Sequence, residues 1–127
     1  MRAICTSIMA ACLGIAITVM ASEGVRAQNL APAYLVAEVQ VTDAAGYGDY
    51  AKRFVPLLEP FGGRIVVRGG TTDALEGAPI AGSLVIITFP SMDKARQFWN
   101  SPAYQALIPM RQKAATGRIY IVEGLPQ

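Results

Sequence analysis

The chain has 127 residues, enough for one compact domain, with a formal net charge of +2 and no histidine. So small a net charge argues against nucleic acid or an anionic membrane as the main partner. Without histidine, a serine or cysteine nucleophile activated by that residue is excluded.

The first 27 residues have the order of a secretory signal peptide. Arg2 precedes an apolar run from Ile8 to Ala21, and Val25-Arg26-Ala27 follows it. The run is about 14 residues long, whereas a helix that spans a bilayer needs roughly 20. We therefore expect cleavage after Ala27, export to the periplasm or the medium, and no stable membrane anchor afterwards.

Both cysteines lie in this predicted signal peptide. Removing Cys5 and Cys12 leaves a mature chain without a thiol, a disulfide or a cysteine metal ligand, so no metal site is expected. A lipoprotein acylated at Cys12 is the alternative. It is disfavoured because Met9-Ala10-Ala11 is a poor lead-in and the apolar run continues past the cysteine.

A short tail, residues 28–32, leads into the predicted domain, residues 33–127. Ala33–Val41 alternates along its length, which predicts a strand with one apolar face. Thr42 or Asp43 can cap the helix that follows, where aromatic and aliphatic residues recur every three or four positions.

Prolines and glycines divide the next part of the chain. Pro56 predicts a kink or break in the first helix near Arg53 to Val55. Arg64–Arg68 reads as a second strand, and a glycine-rich loop follows over residues 69–82. Ser83–Phe89 is so uniformly apolar that it predicts an interior strand covered on both faces.

The last third of the chain holds two helix starts and a strand. Ser91 begins one helix, and Ser101-Pro102 begins another that we expect Gly117 to end. Arg118–Glu123 is the final strand.

The elements therefore follow the order strand, helix, strand, strand, helix, strand. This βαββαβ order predicts an α+β, ferredoxin-like antiparallel sheet with its helices on one face. The other face still carries valines and isoleucines and needs a cover. A second copy packed sheet to sheet would supply it, so we expect a homodimer in the form of a dimeric α/β barrel.

A set of motifs spans the whole predicted domain: Ala33-Tyr34, Val39-x-Val-Thr-Asp43, Tyr47 with Tyr50, Phe61-Gly-Gly-Arg64, Arg68-Gly-Gly70, Glu76-Gly77, Phe89-Pro90-Ser91, Trp99-x-Ser-Pro-x-Tyr104, Arg111, Gly117-Arg118 and Val122-Glu-Gly124. In order and spacing they resemble the domain of unknown function 1330 family. That resemblance implies the dimeric α/β barrel superfamily and no established activity. The superfamily includes cofactor-independent monooxygenases, haem-handling enzymes and isomerases, so the fold alone selects no reaction.

The resemblance also bears on the first strand. Some members of the family carry a histidine where this chain has Glu38. The substitution argues against a histidine-based acid/base role or a haem role.

One candidate site is a set of polar side chains on the strands, whose meeting depends on the register of the sheet: Tyr34, Glu38, Arg64, Arg68 and Tyr120. Together they would bind a small polar ligand, or Glu38 would act as a base if desolvation raised its pKa. The alternative is a satisfied ion pair at the dimer interface or at the ends of the strands.

A second candidate site lies between helices and sheet, with four residues lining an apolar pocket: Tyr50, Trp99, Tyr104 and Arg111. Arg111 would hold a ligand carboxylate there. The alternative is that the aromatic residues only pack against the sheet.

Two functions follow from these sites. One is an exported dimer that binds or modestly transforms a small polar or aromatic molecule without a metal or an organic cofactor. The other is a non-catalytic structural or interaction module whose polar residues stabilise the dimer. The first makes Glu38 the one candidate catalytic residue and assigns ligand binding to seven residues: Tyr34, Glu38, Tyr50, Arg68, Trp99, Tyr104 and Arg111.

Overall fold

A computed structural model describes residues 30–127. The predicted signal peptide and the start of the tail lie outside the described residues. The elements, in chain order, are β1 (Ala33–Val41), α1 (Ala44–Phe54), β2 (Arg64–Arg68), β3 (Ser83–Phe89), α2 (Met92–Asn100), α3 (Pro102–Gln105), α4 (Ile108–Ala114) and β4 (Ala115–Glu123). Two 3-10 turns, Val55–Leu57 and Glu59–Phe61, follow α1.

The four strands form one antiparallel sheet in the order β2-β3-β1-β4. β1 is central, and it pairs with β4 from Ala33 opposite Glu123 to Val41 opposite Ala115. This order is that of the ferredoxin-like fold, in which β3 lies between β1 and β2. The predicted α+β class and antiparallel sheet are confirmed.

The two faces of the sheet differ in burial. Leu35, Ala37 and Val39 of β1 are buried, and the same core cluster includes Phe54 of α1 and Phe98 of α2. We call this side the helix face. The opposite side, which we call the open face, carries apolar residues from all four strands that are half-buried or exposed: Val36, Val67, Leu84, Ile86, Tyr120 and Val122.

The open face bears on the prediction for β3. β3 is an interior strand, as predicted, since it pairs with β2 on one side and β1 on the other. Its open-face residues Leu84 and Ile86 nevertheless stay half-exposed. Within residues 30–127 the predicted cover is therefore present on the helix face alone.

Side-chain caps begin the helices where the sequence predicts. Asp43 Oδ1 accepts a hydrogen bond of 3.1 Å from the Gly46 N–H at the start of α1. Ser91 Oγ accepts one of 3.2 Å from the Lys94 N–H at the start of α2. α1 then ends at Phe54, just before Pro56, so the predicted break is confirmed.

The helix predicted from Ser101-Pro102 to Gly117 is shorter and divided. It forms as α3 and α4, and α4 ends at Ala114. Pro109 lies in the first turn of α4 and has no N–H to donate back to α3, so the helix restarts there. β4 then begins at Ala115 instead of Arg118, because residues 115–117 pair with the end of β1.

We predict that Gly117→Ala destabilises the fold by about 2 kcal/mol or more. Gly117 has φ +150°, and a Cβ there would overlap the carbonyl oxygen of Glu38 on β1. Gly70→Ala is the matched control, because a Cβ at Gly70 meets nothing within 4 Å. Urea unfolding of residues 28–127 measures both, and equal free energies of unfolding for the two variants would contradict the prediction.

Candidate functional site

Two adjoining spaces lie between the helices and the helix face of the sheet. The outer groove has a volume of about 120 Å³, and its lining includes Val41 and Ala51. The inner cavity has a volume of about 20 Å³, and its lining includes Leu35 and Ile87. Four residues line both spaces: Val39, Tyr47, Phe54 and Val85. The two spaces therefore share a wall that is mostly apolar.

Two tyrosines meet at the inner cavity. The hydroxyls of Tyr50 on α1 and Tyr104 on α3 share a hydrogen bond of 3.1 Å, and both side chains are buried. Burial raises the pKa of the Tyr50 phenol well above its ordinary value, and the Tyr104 hydroxyl adds to that shift. Tyr50 therefore stays neutral at physiological pH. It can take part in hydrogen bonds to a ligand but does not supply a phenolate base.

Arg111 on α4 lines the same cavity. Its Nε is buried and has no hydrogen-bond partner. A buried donor left unpaired costs about 1 to 3 kcal/mol, and more when it is charged. The positive charge of Arg111 also opposes the rise in the pKa of Tyr50. The inner cavity therefore places an unsatisfied cationic donor beside two phenols.

Tyr47 lines both this cavity and the outer groove. It is half-buried, and its ring centroid is 5.5 Å from that of Tyr50. Burial raises the pKa of Tyr47, while the charges of Arg111 and Arg68 act in the opposite direction. Tyr47 thus lies within the field of two arginines, one in the cavity and one at the groove.

A β-bulge puts Arg68 at the groove. β2 and β3 are in register at Ile65 opposite Ile87, but the register shifts before Val67, which lies opposite Ile86. The extra residue turns Arg68 to the helix face, opposite Val85.

The same register divides the predicted polar set on the strands. Tyr34, Glu38, Arg64 and Tyr120 share the open face, and Arg68 lies on the other side of the sheet. The set does not converge on one point, because its members are distributed over the open face and one faces the helices.

Glu38 is engaged by a residue that the predicted set omits. Arg118 lies opposite it on β4, and its Nε and Nη2 donate to the Glu38 carboxylate over 2.8 and 3.0 Å. These hydrogen bonds hold the pKa of Glu38 below its ordinary value. That direction is opposite to the raised pKa that the hypothesis of a general base requires.

The ring of Trp99 packs against that of Tyr104, with centroids 5.3 Å apart. It lines an open hollow beside the edge strand β4, together with Met92 and with Ile119, which also lines the inner cavity. Of the four residues predicted for an apolar pocket, Tyr50, Tyr104 and Arg111 therefore meet at one cavity and Trp99 does not.

Two residues of interest, Tyr47 and Arg118, belong to the sequence motifs but not to the predicted ligand-binding set. The three-residue spacing of Tyr47 and Tyr50 on one helix is a signal for the first. Arg118 can be recognised as the partner of Glu38 once β1 and β4 are aligned end to end.

Within residues 30–127, no three His, Cys, Asp or Glu side chains lie close enough together to hold a metal ion. No helix in this range has the length and apolar character needed to cross a membrane.

We predict that Glu38 titrates below about 4.3, the ordinary glutamate pKa, and that Arg118→Gln raises its pKa toward that value. Because the folded-state pKa is lowered, the stability gained from the pair is complete above about pH 4.3 and is lost as the pH falls through the folded-state value. NMR of the side-chain carboxyl carbons measures both pKa values.

Arg64→Gln is the matched control for this titration. Arg64 lies on the same face but makes no hydrogen bond to Glu38. A Glu38 pKa at or above 4.3 in the unmodified chain, or an equal shift in Arg64→Gln, would show that Arg118 is not the cause.

Comparison with solved structures supports the fold. The crystal structure of the methylated RPA0582 protein has a similar fold, with 21% sequence identity and a TM-score of 0.61. The match covers 76% of this chain and 82% of that chain. A second RPA0582 structure, described as a protein of unknown function from Rhodopseudomonas palustris, gives 20% identity and a TM-score of 0.60 over 76% and 85%. SnoaB, a cofactor-independent oxygenase from Streptomyces nogalater, gives 14% and 0.53 over 76% and 96%.

At these identities the likeness shows the fold alone. No curated protein matches the chain. The model of a family described as "Domain of unknown function (DUF1330)" matches residues 32–125, which is most of the chain. The chain therefore belongs to the DUF1330 family.

Proposed function

We propose that the protein is exported and that, as a homodimer, it binds a small organic molecule between α1, α4 and the helix face of the sheet. No metal or organic cofactor takes part. The observation that carries this proposal is Arg111, whose buried Nε lacks a partner at a cavity that adjoins an apolar groove. Ligand sites commonly combine mostly apolar walls with a few convergent polar groups.

The size of the groove supports a small ligand. An apolar cavity of about 150 Å³ accepts benzene, and the outer groove measures about 120 Å³. The likeness to SnoaB agrees with chemistry performed without a cofactor, but a shared fold selects no reaction. We therefore propose that the protein binds a ligand, and we assign no reaction to it.

The open face supports a homodimer. Tyr120 and Val122 keep 46% and 47% of their surface exposed, and half-buried Val36 and Ile86 extend the same apolar surface. Soluble monomers rarely expose large contiguous apolar patches, and two-fold dimers are the commonest soluble oligomers. A second copy packed against this face would bury it and form a dimeric α/β barrel.

A non-catalytic interaction module is the alternative function. The inner cavity has room for about one water molecule, which would satisfy Arg111 without a ligand. On the open face, Glu38 and Arg118 already satisfy each other. In that case the dimer itself is the function, and the outer groove stays without an organic ligand.

Native mass spectrometry of the protein, purified gently from the organism that makes it, separates these functions. We predict a dimer of chains that begin at Gln28, with a reproducible small molecule bound. Val41→Trp should abolish the bound species, because the indole would fill the groove from its rim. Val55→Trp, a similarly exposed site outside the groove, should keep it. A clean dimer without ligand would favour the interaction module. Retention of the ligand in Val41→Trp would show that the ligand does not bind in the groove.

We predict that Val122→Asp weakens the dimer at least about tenfold, because a charge buried without a partner is costly. Sedimentation of residues 28–127 over a concentration series measures the dimer dissociation constant. Val55→Asp, away from the open face, should leave the constant unchanged. If Val122→Asp dimerises as tightly as the unmodified chain, the open face is not the interface.

A further inference from the structure

We infer that the ligand of this site is a small organic acid, with a carboxylate on the Arg111 guanidinium and an apolar body of about one aromatic ring in the outer groove. The inference rests on the proposed binding at the groove and adds the chemical class of the ligand and its orientation. It follows from the charge, the hydrogen-bonding capacity and the volume of the two spaces.

The charge of the site is positive and unbalanced. Arg68 lines the outer groove and Arg111 the inner cavity, and no Asp or Glu of residues 30–127 lines either space. The ion pairs among residues 30–127 join Lys52 to Asp49, Arg96 to Asp93 and Arg118 to Glu38. Neither site arginine takes part in them. An anionic ligand would balance this charge, whereas a cationic ligand would add to it.

The hydrogen-bonding groups of the inner cavity match a carboxylate. Arg111 Nε is a buried donor without an acceptor. The bond between the Tyr50 and Tyr104 hydroxyls uses one of their two hydrogens, which leaves the other to donate. A carboxylate has two oxygens and accepts from both sources, so it satisfies the guanidinium and the phenol together.

The shared wall explains how such a ligand reaches Arg111. Tyr47 lines both spaces and is half-buried, so its ring is the part of their shared wall that can turn outward. Rotation of this side chain joins the two spaces while Val39, Phe54 and Val85 keep the walls apolar. The carboxylate then lies inside and the apolar body lies in the groove.

The volume limits the body of the ligand. The groove, at about 120 Å³, is smaller than the roughly 150 Å³ cavity that holds benzene. One aromatic ring, or a branched aliphatic chain of the same size, fits once Tyr47 moves. A fused pair of rings would require the close-packed walls to separate.

Arg68 has a lesser part in this arrangement. It is exposed at the mouth of the groove, where water screens its charge. It attracts the acid toward the groove, while Arg111, whose Nε is buried, holds it. Replacing Arg111 should therefore cost more affinity than replacing Arg68.

Titration calorimetry of residues 28–127 with three probes of similar shape tests the inference: benzoate, benzamide and benzylamine. We expect benzoate to bind at least about tenfold more tightly than benzamide, and benzylamine least tightly. Arg111→Met should weaken benzoate at least about tenfold and leave benzamide nearly unchanged, while Arg68→Met costs less than about threefold. Arg53→Met, at an exposed site on α1 outside both spaces, should change nothing.

Folding of the variants is checked by their amide NMR spectra. Arg111→Met removes an unsatisfied buried donor, so it should fold. Arg111→Lys is the second variant. It keeps the charge but loses the planar pair of donors, so it should bind benzoate with an intermediate affinity.

Three results would overturn the inference. The first is benzamide bound as tightly as benzoate, with Val41→Trp abolishing both; the groove would then bind ligands and only the acid class would be wrong. The second is benzoate binding that survives Arg111→Met or Val41→Trp, because the acid would lie elsewhere. The third is no benzoate binding up to about 10 mM, beyond the millimolar range of weak specific binding. The native mass spectra test whether the groove binds a ligand at all, independently of these probes.

Discussion

The paired strand β1 is the constraint on which the rest of the structure depends. It lies between β3 and β4, and its alternation assigns each neighbouring residue to the helix face or the open face. A shift of one residue in its register would move Leu35 and Val39 out of the core and bring Glu38 into it. Gly117 and Gly82 permit this register, because a Cβ at either position would overlap the backbone of β1.

The two faces carry different chemistry because of that register. On the open face, the charged pair of Glu38 and Arg118 is satisfied within the chain, and the surrounding surface is apolar. On the helix face, Arg111 has no acidic partner among residues 30–127 and lies beside the hydroxyls of Tyr50 and Tyr104. Glu38 is therefore paired within the chain where we propose a second copy to pack, whereas Arg111 has no ion-pair partner among residues 30–127 where we propose a ligand to bind.

Local signals predicted most of the elements, and long-range pairing decided the site. The bounds of β1 follow from alternation, those of β2 from the glycines around it, and those of β3 from a uniformly apolar run that ends before Pro90. Asp43 and Ser91 cap helices as their positions predict. No local pattern marks the β-bulge that turns Arg68 to the helix face. The pairing of Glu38 with Arg118 joins residues 80 positions apart, so it depends on strand alignment, which the sequence analysis did not specify.

A crystal structure of residues 28–127 grown with benzoate tests the central claim, that one face takes a second copy and the other takes an acid. The account predicts two open faces packed across a two-fold axis, with the carboxylate beside Arg111 and the Tyr47 ring turned aside. An open face in solvent, with benzoate outside the groove and Tyr47 between the groove and the cavity, would contradict it.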